Sequence, residues 1–149
     1  MTVFANDESE IIVLRIDYEY DGARSIYPVI LRDRDERILV DCGYPGFLPG
    51  LERASEAACV PFGEITGVVI THHDIDHYGA LGEIHEKYPG VVTMSSELDA
   101  PYIDGRKKSL RATRAMGILA AARPARIDRT LAPREIMPWC GGTEIIPTP

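Results

Sequence analysis

An apolar run leads directly into a dense group of ionisable side chains over residues 65–79, which read ITGVVITHHDIDHYG. Residues 65–70 carry almost no polar side chain, which is typical of a strand buried in the middle of a sheet. Five ionisable side chains occupy the six positions from 72 to 77, namely His72, His73, Asp74, Asp76 and His77. Packing alone does not account for such a group. Because α/β sheets present functional groups at the carboxyl ends of their strands, the junction predicts a functional site.

The spacing within this group indicates which side chains converge. Side chains at i and i+2 of an extended segment point the same way, so His72 and Asp74 can meet at one point while His73 points away. Asp76 and His77 follow on the turn into a helix and can face the same cavity from another side. Two imidazoles and two carboxylates are a donor set that suits zinc, with iron or manganese as alternatives. The sequence therefore predicts a divalent-metal site.

Single residues of this group also have simpler explanations. Asp76 taken alone would be the N-cap of a helix that begins near Tyr78. One histidine at a strand end is more often hydrogen-bonded in place than a ligand, and this interpretation is kept for His73. His85, four residues before Pro89, is expected on the surface of the next helix. Four potential ligands at this spacing nevertheless favour the metal site.

Antiparallel strands come first in the chain, and alternating helices and strands follow. Residues rich in β-branched and apolar types predict a three-stranded meander, with strands over 11–16 (continued weakly to Tyr20), 25–31 and 37–40. Pro28 favours an edge position or a bulge in the second of these. Helical periodicity predicts helices over 47–60, 79–87 and 108–122. Further strands are predicted over 65–70, 91–94 and 143–147, and the crossover helix between the first two requires a parallel pair.

Composition and charge restrict the class of protein. The 149 residues are 45% hydrophobic and 26% charged with a net charge of −7, which predicts one globular domain and argues against polyanion binding by the whole surface. Residues 106–134 carry nine basic side chains and one acid, Asp128, so this segment is locally +8 and the rest of the chain −15. We expect these basic groups to pair with the acidic rest of the chain. The alternative is a positive rim that attracts an anionic substrate.

The cysteines and the N-terminal residues bear on the compartment. Cys42, Cys59 and Cys140 are far apart and form no CxxC pair, which argues against a disulfide framework and a cysteine zinc site. Residues 1–10 lack the apolar core of a signal peptide. No apolar run reaches the roughly 18 residues that a membrane span needs. The expected location is cytoplasmic, with no membrane partner.

The segment VVITHHDIDHYGAL, residues 68–81, resembles the signature of the metallo-β-lactamase superfamily, T-H-x-H-x-D-H-x-G. The positions that match it are Thr71, His72, Asp76, His77 and Gly79. Asp74 stands where the family usually has its second histidine, and this H-x-D-x-D-H form is similar to that of a bacterial subgroup of metallo-hydrolases. Residues 38–43 (ILVDCG) resemble the family's first motif, and residues 101–105 (PYIDG) are similar to a segment of that subgroup.

The resemblance implies a fold and a division of roles. The fold is an α/β protein of the αββα sandwich type, of which residues 1–149 are expected to form only the N-terminal αβ half. His72 and Asp74 would bind one metal ion, and Asp76 and His77 a second. Asp76 would also hold the water-derived nucleophile as the catalytic residue, and Asp41 would support the ligand loop. The implied activity is hydrolysis of a small ester, thioester, lactone or amide by water activated on one or two zinc ions.

The chain departs from the family in its later part. The family draws further ligands from its second half, and no histidine follows His85. Each metal position would then have two protein ligands, fewer than the three usual for catalytic zinc, and an apolar sheet face would be exposed. We expect a truncated piece of a longer protein. The alternatives are a second chain, such as a homodimer partner, that covers this face, and a non-catalytic metal-binding module. Among enzymes, a phosphodiesterase or nuclease is the runner-up, supported only by the basic segment, and nucleic acid is not an expected partner.

Overall fold

The computed structural model describes residues 1–6, 8–19, 21–108 and 122–148 of the chain. Its strands are β1 (Thr2–Ala5), β2 (Ser9–Val13), β3 (Ile16–Glu19), β4 (Ala23–Ile26), β5 (Val29–Asp33), β6 (Arg37–Val40), β7 (Gly67–Ile70), β8 (Val92–Ser96), β9 (Arg129–Leu131), β10 (Ile136–Met137) and β11 (Thr143–Glu144). Its α-helices are α1 (Leu48–Ala57), α2 (Ile75–Tyr78), α3 (Leu81–Lys87) and α4 (Ala100–Ile103). The helix predicted over 108–122 lies outside the described residues. None of the described helices is long and apolar enough to cross a membrane.

Seven strands form one mixed sheet in the order β1-β2-β5-β6-β7-β8-β9. The pairs from β1 to β6 are antiparallel, and those from β6 to β9 are parallel. All four residues of β7 are buried, which confirms the predicted central strand, and the predicted parallel pair is β7 with β8. The carboxyl ends of β6, β7 and β8 therefore meet at one edge of the sheet.

The predicted meander is interrupted by a separate hairpin. β2, β5 and β6 pair antiparallel as predicted, but the first two predicted strands are each divided. After Val13 the chain leaves the sheet to form the β3–β4 hairpin and returns at Pro28. The amide of Leu14, a buried residue, donates to the Pro28 carbonyl at 2.8 Å. Pro28 thus lies at the break, where the sheet requires no amide donor.

The helices cover one face of the sheet. Their buried side chains pack against strand residues in one cluster that includes Leu51, Leu81, Ile84 and Ile103 from the helices and Ile30, Leu39, Val68 and Ile70 from the strands. Burial of each such side chain contributes about 1.5–3 kcal/mol. Helix α1 ends three residues earlier than predicted because Cys59 adopts a left-handed φ of 57°. Helix α3 ends before Pro89, as predicted.

The opposite face is covered at its centre and exposed at one edge. Ile38, Val69 and Met94 are buried beneath Met137 and Trp139, because residues after β9 fold back across the sheet. Phe4 and Ile11, paired neighbours on β1 and β2 and on the same face as Ile38, are 62% and 42% exposed. The predicted exposed face is therefore wrong for the centre of the sheet and confirmed for the β1–β2 edge.

Candidate metal centre

The carboxyl ends of three parallel strands surround the candidate site. Asp41 follows β6, Thr71 begins the loop after β7, and Ser96 is the last residue of β8. Asp41 has a φ of 62°, and its amide donates to the Val69 carbonyl at 2.8 Å, so the strand end is held beside β7. Residues other than glycine rarely adopt this backbone conformation, and such strain is concentrated at functional sites.

The four predicted donors lie in two adjoining pairs. Nε2 of His72 is 3.5 Å from Oδ2 of Asp74, and Nε2 of His77 is 3.6 Å from Oδ2 of Asp76. The centroids of the two imidazole rings are 3.8 Å apart. All four side chains are partly exposed. The structure thus brings these four residues together at the edge of the sheet.

Helix α2 carries the second pair. It begins at Ile75, so Asp74 occupies its N-cap position, without a side-chain capping hydrogen bond, and Asp76 lies in its first turn. The interpretation of Asp76 as an N-cap is therefore wrong, because the helix begins three residues before Tyr78.

One carboxylate orients both imidazoles. Oδ2 of Asp41 lies 2.8 Å from Nδ1 of His77, and Asp41 also accepts the amide and the hydroxyl of Thr71, each at 2.9 Å. A carboxylate only accepts, so the protons belong to His77 Nδ1 and to the Thr71 hydroxyl. The Thr71 oxygen, 3.0 Å from Nδ1 of His72, is then left to accept from it. Both Nε2 atoms consequently keep the lone pair that a cation requires.

Thr71 belongs to the signature, but the residue pattern alone assigned it no role. Its hydroxyl links Asp41 to His72, and no hydrogen bond among the described residues joins those two side chains directly. The available signal was a hydroxyl at the first position after a buried strand and directly before a candidate ligand.

The pKa values of two nearby groups are displaced from their ordinary ranges. The hydrogen bond with Asp41 raises the pKa of His77, against the opposing effect of burial, and Asp76 and Asp74 add in the same direction. A proton and a cation therefore compete for Nε2 of His77. Burial raises the pKa of the Cys42 thiol, so Cys42 stays neutral and donates to the His77 carbonyl at 3.2 Å. A neutral buried thiol does not act as a metal ligand.

The chain after β6 also fixes helix α2. The amide of Cys42 donates to the His77 carbonyl at 2.7 Å, and the amide of Ala80 donates to the Gly43 carbonyl at 3.3 Å. At Gly79 a Cβ atom would lie 2.4 Å from Cδ of Pro45. Only glycine allows this approach, which accounts for the glycine of the signature.

The remaining histidines differ from the four donors. Nδ1 of His73 lies 2.6 Å from Oδ1 of Asp99, and its ring stacks on Tyr102 at a centroid distance of 4.3 Å, which confirms that it points away from the donors.

His85 is half-buried, so its expected surface position is wrong. The segment that enters β9 packs against α3, where a Cβ at Gly82 would touch Arg123. Within the described ranges, Nε2 of His85 is buried and has no hydrogen-bond partner. Burial lowers the pKa of His85, and the charge of Arg126 lowers it further.

Arginines of the basic segment form ion pairs with acidic side chains of the same chain. Its arginines at 106, 123, 126, 129 and 134 each form an ion pair, with Asp104, Glu86, Asp128, Glu135 and Glu144 respectively. The predicted pairing with the acidic rest of the chain is confirmed for four of these arginines, whereas Arg126 pairs with Asp128, the acid within the segment itself. Arg111 and Arg114 lie outside the described part of the chain.

The donor chemistry fits a divalent cation. Two imidazoles with accessible Nε2 lone pairs and two carboxylates are ligands that zinc accepts. Among the described residues, no group of three or more His, Cys, Asp or Glu side chains is arranged to hold a metal ion. Each pair thus supplies two ligands, one fewer than catalytic zinc normally takes from protein.

Comparisons with known proteins identify the family and the fold. The family model of the metallo-beta-lactamase superfamily matches residues 21–148. A search of curated proteins gives no match.

Three solved structures with a similar fold illustrate the likeness. The metallo-beta-lactamase with the HARLDQ motif from Cronobacter sakazakii is 19% identical with a TM-score of 0.66, and 92% of this chain covers 50% of that one. FEZ-1 from Legionella gormanii is 15% identical with a TM-score of 0.71, covering 89% and 47%. A metallo-beta-lactamase family protein from Thermus thermophilus is 16% identical with a TM-score of 0.73, covering 91% and 50%. The chain spans about half the length of these structures.

Proposed function

Because the chain belongs to the metallo-beta-lactamase superfamily and has half of its mixed α/β fold, we propose that it contributes to a metal-dependent hydrolase acting on a small ester, thioester, lactone or amide. The observation that carries the proposal is the hydrogen-bond system of Asp41. It leaves the Nε2 lone pairs of His72 and His77 for a cation, beside the carboxylates of Asp74 and Asp76. Carboxylate–histidine pairs of this kind orient metal ligands and strengthen their basicity.

In this proposal His72 and Asp74 hold one ion, and Asp76 and His77 hold a second. Zinc suits the donors best, with iron or manganese as alternatives. A divalent ion bound there would acidify water and polarise the carbonyl group of the substrate. We infer from Asp74, in the place of the usual histidine, that the chain belongs to the subgroup with the H-x-D-x-D-H pattern.

The protein's own groups hold the protons and the nucleophile in place. In the neutral imidazole of His77, Asp41 keeps the proton on Nδ1 and so leaves Nε2 for the ligand bond. Because the pKa of His77 is raised, a cation competes with a second proton for Nε2. The carboxylate of Asp76, partly exposed beside His77, accepts a hydrogen bond from the attacking water and directs its lone pair toward the substrate. Asp76 is therefore the proposed catalytic residue.

The proposal also covers partners and compartment. At least one ligand for each ion would come from outside the described residues, either from further chain that completes the sandwich, as in a truncated piece of a longer protein, or from a second copy. The three cysteines are free thiols, which supports the reducing cytoplasm. The ion pairs of the basic segment weaken the nuclease alternative, since they neutralise the charge on which it depended.

Metal content tests the site directly. We expect equilibrium dialysis to show that the wild-type protein binds Zn²⁺. The affinity for Zn²⁺ should fall about tenfold or more in His72→Ala and in Asp76→Ala, since each variant lacks one of few ligands. Asp35→Ala, an exposed carboxylate on the turn between β5 and β6, is the matched control and should bind like the wild type. Unchanged zinc content in both donor variants would refute the assignment of the metal site.

Substrate class is tested separately with chromogenic compounds. Residues 1–149 alone should turn over little, since each ion would lack a ligand. Where the missing ligands are supplied, we expect zinc-dependent hydrolysis of p-nitrophenyl acetate, lost in Asp76→Ala, and no hydrolysis of bis(p-nitrophenyl) phosphate. Hydrolysis of the phosphodiester alone would establish the nuclease alternative. Zinc binding with no turnover of any ester, thioester, lactone or amide where the missing ligands are supplied would establish a metal-binding module instead of an enzyme.

A further inference from the structure

Asp99 occupies a position where aspartate usually caps a helix, but it does not cap. It precedes α4 at the N-cap position and forms no side-chain capping hydrogen bond. Its Oδ1 accepts the amide of His73 at 3.1 Å and lies 2.6 Å from Nδ1 of the same residue. Its Oδ2 accepts the hydroxyl of Ser96 at 2.5 Å. The carboxylate therefore binds His73, which lies 26 residues earlier in the sequence. It does not form the hydrogen bond to the first turn of the helix for which aspartate is favoured at N-cap positions.

The Asp99–His73 contact is a charge-assisted one. The two side chains are 18% and 24% exposed. Burial alone would raise the pKa of Asp99, but the hydrogen bonds from Ser96 and His73 outweigh it and lower the pKa. Asp99 is thus ionised, and Nδ1 of His73 carries the shared proton. Such bonds are about twice as strong as neutral ones, and the stacked ring of Tyr102 restricts His73 further.

Asp99 and Asp41 hold the loop after β7 from opposite sides. Asp41, from the end of β6, accepts the backbone amide and the hydroxyl of Thr71. Asp99, from the turn after β8, accepts the backbone amide and the imidazole of His73. His72 lies between these two fixed residues, and Asp74 follows directly. The loop that carries the first pair of donors is therefore fixed by one carboxylate from each neighbouring strand.

We propose that Asp99 is a positioning residue of the candidate metal site: by holding His73 it fixes residues 71–74 and so places His72 and Asp74 for a divalent cation. This inference rests on the proposed function. Asp99 touches no donor side chain in the described contacts and acts through the backbone and ring of His73. Loss of such a supporting group typically lowers metal affinity about 10- to 100-fold.

The test compares Asp99→Asn with the same change at Asp128, a carboxylate that binds the other end of β8. Asp128 accepts the amide and the hydroxyl of Thr93, both at 2.9 Å, near the start of β8 and away from the loop, and its side chain is 25% exposed. Co²⁺ is titrated into the wild type, Asp99→Asn and Asp128→Asn and followed by visible absorption, with thermal unfolding measured in parallel. We expect Asp99→Asn to weaken Co²⁺ binding about tenfold or more. Asp128→Asn should stay within about twofold of the wild type at a similar loss of stability, since it supports no ligand loop.

A metal-free measurement accompanies the titration. In the wild type, ¹⁵N NMR should find the proton of His73 on Nδ1 and a slowly exchanging His73 amide. In Asp99→Asn the amide should exchange about tenfold faster or more, because its acceptor is weakened. Asp128→Asn should leave both signals unchanged.

The outcomes separate this inference from the proposed function. Wild-type Co²⁺ affinity in Asp99→Asn, together with loss of binding in Asp76→Ala, would overturn the role of Asp99 and leave the proposed function intact. If the wild type binds no Co²⁺, the proposed function fails, and amide exchange decides the role of Asp99 in ordering the loop: unchanged exchange overturns it, faster exchange supports it. Should Asp99→Asn not fold, His73→Asn removes the imidazole contact and keeps the amide bond to Asp99. Weaker Co²⁺ binding in that variant would support the inference, whereas wild-type affinity together with a rapidly exchanging amide at position 73 would overturn it, because the loop would then not be held by Asp99.

Discussion

Replacing Gly79 with alanine would add a methyl group where the α2–α3 junction touches the chain after β6. The new Cβ would lie 2.4 Å from Cδ of Pro45, 2.5 Å from the Ile75 carbonyl oxygen and 2.6 Å from the Pro45 nitrogen. Real Cβ atoms do not approach other atoms so closely. None of the three neighbours is the end of a flexible side chain, so the overlap can be relieved only by movement of backbone or of the proline ring.

Two opposing effects set the magnitude of the change. Gly79 has a helical conformation, with φ −58° and ψ −35°, so alanine itself would stabilise the folded chain by up to about 1 kcal/mol. Overpacking costs about 1–3 kcal/mol, with the upper part of the range expected where backbone must move. We therefore expect a net destabilisation of about 1–2 kcal/mol. Because α2 carries Asp76 and His77, the displacement should also lengthen the 2.8 Å contact of His77 with Asp41 and weaken Zn²⁺ binding.

Urea denaturation followed by circular dichroism measures this change. Gly90→Ala is the control, because a Cβ at Gly90 meets nothing within 4 Å, and its stability should match the wild type within about 0.5 kcal/mol. If Gly79→Ala were as stable as the wild type and bound Zn²⁺ equally, the chain around Pro45 would have moved to accommodate the new methyl group without loss of stability. The role of this close approach in positioning the second donor pair would then be refuted.

Other expectations concern the core and its pH dependence. His85→Leu should raise the free energy of unfolding in urea at pH 7.5 by about 1 kcal/mol, because it removes a buried nitrogen without a partner; a destabilised variant would contradict this. Since burial holds the folded pKa of His85 below its ordinary 6.5, the unfolded chain takes up the extra proton as the pH falls below that value. The contribution of His85 therefore decreases on acidification through pH 6.5. The raised pKa of His77 acts in the opposite direction in both proteins, so the stability of the wild type should fall relative to that of His85→Leu. Trp139→Ala should cost about 3–5 kcal/mol in thermal unfolding, whereas Ile136→Ala, at a side chain 71% exposed, should change stability by less than about 0.5 kcal/mol.

The parts of the fold that could be predicted are those whose information is local. β7 is apolar throughout because it is covered on both faces, and this pattern appears in four consecutive residues. The candidate donor loop could be recognised for the same reason, since its four potential ligands lie within six positions. Helices α1 and α3 followed from periodicity, with boundary errors where a single residue, such as Cys59, adopts a left-handed conformation.

The parts that were missed depend on pairing between distant segments. All residues of β1 are exposed, so it has no burial pattern, and it becomes a strand only by pairing with β2. β9 contains Arg129 and joins the sheet through β8. The link between His73 and Asp99 spans 26 residues, and no local spacing encodes it. The burial of His85 likewise depends on a segment some 40 positions later in the chain, at Arg123 to Arg126.

At the proposed site, the ordering of the donor loop and the number of ligands would contribute separately to cation binding. The bonds that fix the loop use Nδ1 of His77, Nδ1 of His73 and two backbone amides, and none of these atoms is one that a cation would take. Binding an ion therefore requires no loop-fixing bond to break. Removing Asp41 or Asp99 raises the entropy that the loop must lose on binding, whereas removing Asp74 or Asp76 deletes a ligand bond. If each pair holds an ion, as proposed, its two ligands would limit the affinity. Because the loop is already ordered, a third ligand would complete a site that is largely preformed.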